Sequence, residues 1–120
     1  MNKQAIIKAI VDQFSGRFRV FDNTGDDKKV IAGQFPDVII MRPEPPVNQD
    51  ILFVMRVDDG TDLISSVSEW KSLGATPSVL YIVIPKDKLD DAKKLASATG
   101  VRARFAPYTI GANKVSIRYE

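Results

Sequence analysis

Between Asn2 and Phe14 the apolar residues Ile6, Ile7, Ile10, Val11 and Phe14 recur at spacings of three and four, and Gly16 follows. That spacing predicts a helix with one apolar face and a glycine stop. Arg17 to Phe21 alternates instead, with Phe18 and Val20 on one face and Arg17, Arg19 and Phe21 on the other, which predicts a strand. Asp22 to Asp27 is polar and reads as a turn. Two apolar runs, Val30 to Ala32 and the β-branched Phe35 to Met41, are interrupted at Gly33 and read as one broken second strand, with Asp37 entering its buried half. The proline-stiffened Arg42 to Gln49 reads as a loop. Asp50 to Asp58 predicts a third strand, whose period of two puts Asp50, Leu52, Val54, Arg56 and Asp58 on one face and Ile51, Phe53, Met55 and Val57 on the other.

Helical spacing returns after Gly60. Thr61 or Asp62 is placed to cap a second helix with an apolar stripe of Leu63, Ile64, Val67, Trp70 and Leu73, ending near Gly74. Ser78 to Ile84 is the most strand-like run in the chain. A third helix follows Pro85, with Leu89, Ala92, Leu95, Ala96 and Thr99 on one face and Gly100 just past its end. Arg102 to Phe105 and Val115 to Tyr119 predict two closing strands. The order is that of a single α/β domain over residues 1–120, with a mixed central sheet flanked by helices.

Composition narrows the chemistry. The 120 residues include no cysteine and no histidine, which removes disulfides, thiol nucleophiles, thiolate or imidazole metal sites and Ser-His-Asp triads. Carboxylate, lysine, hydroxyl and backbone chemistry remain. Lys and Arg number 17 against 15 Asp and Glu, a formal charge of +2 that permits a nucleic-acid partner without announcing one. No apolar run approaches the roughly 20 residues of a membrane span, so the expectation is a soluble cytoplasmic protein with no membrane partner. Glycine-rich phosphate cradles of the G-x-G-x-x-G or G-K-[ST] type do not occur.

Pro36-Asp37-Val38-Ile39-Ile40, followed by Ile51-Leu52-Phe53-Val54-Met55-Arg56-Val57-Asp58, resembles the PD-(D/E)xK, restriction-endonuclease-like superfamily. Its pattern is Pro-Asp, then a hydrophobic strand ending Glu-x-Lys, then a helix. Ser68-Glu69-Trp70-Lys71 and the Val79-to-Pro85 run look like a small prokaryotic branch of it. The resemblance implies an αβββαβ core over about residues 2 to 85 and phosphodiester hydrolysis with Mg²⁺, a hard ion held by carboxylates while water attacks phosphorus. Carried over residue by residue, Asp37 is the first metal carboxylate and Val57 offers a carbonyl. Arg56 stands where the family has Glu or Asp, and Asp58 where it has Lys. For an active site, Asp58 would replace the missing acid, with Asp59 as a second, and Lys71 would deliver the lysine from the helix. The alternative is a degenerate site in which Arg56 pairs with an aspartate.

Other residues carry weaker signals. Arg17, Arg19, Arg102 and Arg104, with Lys114 and Arg118, are candidates for contacts to DNA or RNA phosphates or, equally, for solvated strand faces. Trp70 is placed for stacking or, by its spacing from Val67 and Leu73, for the core. Three functions stay open: a degenerate nuclease-like domain acting as a binding or interaction module, a divergent Mg²⁺-dependent nuclease using Asp37, Asp58 and Lys71, and a protein-interaction domain, including a homodimer through the late strands.

Overall fold

A computed structural model describes residues 3–23, 31, 33–42, 51–111 and 114–119. The helices are α1 (Lys3–Phe14), α2 (Leu63–Gly74) and α3 (Leu89–Thr99), and the strands are β1 (Arg19–Asp22), β2 (Val38–Met41), β3 (Ile51–Val57), β4 (Val79–Pro85), β5 (Arg104–Gly111) and β6 (Lys114–Ile117). The fold is mixed α/β, with one six-stranded sheet ordered β1-β2-β3-β4-β5-β6. The β1–β2, β2–β3 and β5–β6 pairs are antiparallel, and β3–β4 and β4–β5 are parallel. Each parallel pair is joined by a helical crossover, and crossovers of one hand place α2 and α3 on the same sheet face. Among the described residues no helix is long and apolar enough to cross a membrane.

Alternation along the strands builds two cores. Ile6, Ile7 and Ile10 of α1 pack on Val38, Ile40, Met55, Val57, Tyr81 and Val83. On the other face Val54, Leu80, Ile82 and Ile84 meet Trp70 and Leu73 of α2 and Ala92 and Ala96 of α3. Small residues on α3 let that helix lie close to the sheet. Trp70 is fully buried, so its ring belongs to the core and is closed to a base. Asp62 is the cap of α2, accepting from the Ser65 amide at 3.2 Å. Gly100 ends α3 in the left-handed conformation, φ 76°, as its position predicts.

Several expectations shift. Arg17 and Phe18 are not in a strand, because their amides still donate to the Phe14 carbonyl at 3.1 and 2.9 Å in the turn that closes α1. The broken second strand keeps only Val38–Met41, and Ile31 pairs with Gln34 in a tight turn around Gly33, outside the six-stranded sheet. Val30, Ala32, residues 24–27 of the polar turn, Asp50 and the proline loop beyond Arg42 lie outside the described residues. In β3 the pairing skips Leu52, since Ile40 opposes Phe53 and Met41 opposes Ile51. This bulge turns Ile51 to the α2 face, where it packs against the second core. Ile64 leaves the α2 stripe and is 79% exposed. The first closing strand runs on to Gly111, through Pro107, whose carbonyl stays in the ladder by accepting from the Arg118 amide at 3.0 Å.

Candidate functional site

Asp37 is held by the backbone before its side chain does anything. Its amide donates to the Met55 carbonyl at 2.9 Å and its carbonyl accepts from the Asn23 amide at 3.0 Å, while Asn23 Nδ2 donates to the Pro36 carbonyl at 2.8 Å. The entrance of β2 is thereby tied to both neighbouring strands. The carboxylate, 7% exposed as a residue, is aimed at the C-terminal end of β3.

Both of its oxygens are occupied. Oδ1 pairs with Lys3 Nζ at 2.8 Å. Oδ2 accepts from the Val57 amide at 2.7 Å and from Arg56 Nη1 at 3.1 Å. Arg56 then uses Nε to pair with Glu69 of α2. Lys3, Asp37, Arg56 and Glu69 therefore link α1, the start of β2, β3 and α2 in one chain of alternating charge, which satisfies the charges that burial would otherwise penalise.

Asp58 belongs to a different network. Its Oδ1 accepts from the Gly60 amide at 2.8 Å and its Oδ2 from Ser66 Oγ at 2.6 Å, closing the turn between β3 and α2. Gly60 has φ 77°, and a Cβ there would sit 2.6 Å from Lys88 Cγ, so the turn demands glycine. Asp37 and Asp58 share no partner in these contacts. A cleft of about 330 Å³ beside them is lined by Lys3, Arg56 and Asp58 together with Asp59, Asp62 and Ser66. Asp59 is held below the usual carboxylate range by the Thr61 amide and then its hydroxyl, and Asp62 by the Ser65 hydroxyl and then its amide. Burial, and then the charges of Asp59, Asp58 and Asp87, push the Tyr108 hydroxyl up to about 12.

Of the residues carried over from the resemblance, Asp37 and Arg56 come together, Asp58 lies beside them, and Lys71 does not join. Lys71 is exposed in the last turn of α2. It stands two residues from Glu69, roughly 200° around the helix. The lysine that reaches Asp37 is Lys3, and the acid that completes the cluster is Glu69. Glu69 shares a helix face with Asp62, Ser65 and Ser66 at spacings of three and four, a signal the sequence did carry. Lys3 carries none, because only the sheet brings the first turn of α1 to β2.

The donor set does not fit Mg²⁺. Hard divalent ions need open carboxylate oxygens, and both Asp37 oxygens face cations or an amide proton. A divalent ion about 4 Å from either cation would meet a repulsion of about 8 kcal/mol at the effective dielectric of a protein surface. Among the described residues no group of three or more acidic side chains is arranged to hold a metal.

No protein-family model and no curated protein matches this chain.

The arginines divide. Arg19 opens β1, opposite Met41 at the end of β2, with Arg17 just before it. Arg104 opens β5, with Arg102 before it. Four strand spacings separate β1 from β5 in the sheet order, about 19 Å, so the two pairs stand well apart. Arg102 and Arg104 instead line a separate cleft of about 420 Å³ with the α2–β4 turn.

Proposed function

We propose that this chain is a restriction-endonuclease-like domain whose metal position is filled by an ion-pair lock, and that it acts as a binding module on nucleic acid without cleaving phosphodiester bonds. The observation that carries the reading is the direct Asp37–Arg56 pair at 3.1 Å, backed by Lys3 on the other carboxylate oxygen at 2.8 Å. An aspartate neutralised in this way cannot draw in a hard cation, and without that ion no water is activated for attack on phosphorus. The element order from α1 to β4, helix, three strands, helix and strand, supports the family resemblance, as does the position of Asp37 at the entrance of β2. The test is incubation of the protein with supercoiled plasmid and with single-stranded RNA in Mg²⁺ and in Mn²⁺. The expected result is no nicking above a protein-free blank. Nicking that Asp37→Ala abolishes would overturn the reading.

A further inference from the structure

We infer that the cleft between the α2–β4 turn and the start of β5 is a phosphate clamp for a nucleic-acid backbone, built on Arg102 and Arg104 and set apart from the Asp37 cluster; it rests on the binding-module reading. The two clefts share no lining residue. Asp62 and Ser66 of the Asp37-side cleft stand at the start of α2, and Gly74 and Ala75 of the second cleft at its end, 12 residues later. That is about 18 Å along the helix axis.

Their charges differ in kind. Lys3 and Arg56 face Asp58, Asp59 and Asp62 in the first cleft, whereas Arg102 and Arg104 line the second with no carboxylate. Both arginines are exposed, and neither side chain pairs with a carboxylate among the described residues. Unpaired guanidiniums beside a concave surface are suited to bidentate contact with phosphate oxygens. Ser78 adds a hydroxyl at the rim. The helix-end carbonyls nearby, which would repel an anion, are already occupied: Thr76 caps Leu73 through Oγ1 at 2.9 Å, and the Val101 amide caps Ala96 at 3.0 Å.

The wall carrying Arg102 is fixed by close approach. A Cβ on Gly74 would lie 2.4 Å from the Arg102 carbonyl oxygen, so the helix end and the arginine backbone are in contact only because residue 74 is glycine. Arg17 and Arg19, about 19 Å away across the sheet, are a second exposed pair with no carboxylate partner among the described residues. Two separated basic pairs match a polymer of phosphates better than a single small anion.

Fluorescence anisotropy with labelled single-stranded and duplex oligonucleotides, in EDTA and from about 50 to 200 mM salt, tests the clamp. Arg102→Ala with Arg104→Ala is expected to weaken binding about tenfold or more at low salt and to lower the duplex salt slope by about 1.8, the loss of two phosphate contacts. The charge-matched control, Lys86→Ala with Lys94→Ala, is expected to leave the slope unchanged. Equal losses in both double variants, or polyglutamate competing as well as the oligonucleotide, would overturn the clamp while leaving the non-cleaving module intact. Absence of wild-type binding to every oligonucleotide would overturn the clamp and the nucleic-acid part of that reading together.

Discussion

The two ends of α2 show opposite uses of charge. Towards its start, Asp37 is buried against Lys3, Arg56 and the Val57 amide, with Glu69 in mid-helix closing the chain. At its end Arg102 and Arg104 stand exposed over a cleft without carboxylates. Charges of the first kind are committed to holding elements together, since removing one strands the others in a poorly solvated place. Charges of the second kind contribute little to stability and are free for a ligand. Sequence resemblance points to the first end as the place of chemistry, whereas the distribution of unpaired charge points to the second as the place of binding.

Breaking the lock should produce the largest effect. Asp37→Ala leaves two cations and an amide without their acceptor, and should lower the unfolding free energy by about 3 kcal/mol in urea denaturation. The lower part of the usual range is appropriate because the Arg56 and Lys3 side chains are 27% and 39% exposed. A change below a few tenths would mean that the pairing is incidental. Gly74→Ala acts at the other end, where the added methyl meets the Arg102 carbonyl. It should cost about 2 kcal/mol by overpacking and also weaken oligonucleotide binding, linking the fold of that end to its cleft.

A smaller effect depends on pH. Tyr108 keeps its proton in the fold up to about 12, whereas an unfolded tyrosine loses it near 10. Between those values the unfolded chain binds fewer protons, so Tyr108 makes stability fall as pH rises from about 10 to about 12. Tyr108→Phe should flatten that part of the urea-midpoint profile, and an unchanged profile would show that neither burial nor the nearby acids hold its proton. Smallest of all, Arg102→Ala with Arg104→Ala should change stability by no more than about 0.5 kcal/mol, so that any loss of binding belongs to the contact itself.

Much of the frame was legible along the chain because it depends on local period. α3 and its terminal Gly100, the Asp62 cap and the two faces of β3 at Val54 and Met55 all follow from spacing. Where register decides, spacing misleads: the bulge at Leu52 reverses Ile51, and Ile31 satisfies itself in a local turn rather than reaching the sheet. The first closing strand outruns its predicted end at Phe105, since β5 passes through Pro107, whose carbonyl alone suffices for the β6 contact. At the site, the motif comparison located Asp37 and the disruptive Arg56. It offered Lys71 as the lysine, which stands half a helical turn from Glu69, whereas the lysine that meets Asp37 is Lys3, which arrives only through tertiary packing.

The claim that Asp37 is spent on a lock is tested most directly by a double-mutant cycle between Asp37→Asn and Arg56→Met, read as unfolding free energy in urea. The pair in contact at 3.1 Å predicts a coupling energy of about 1 to 3 kcal/mol. Additive effects of the two substitutions would contradict it.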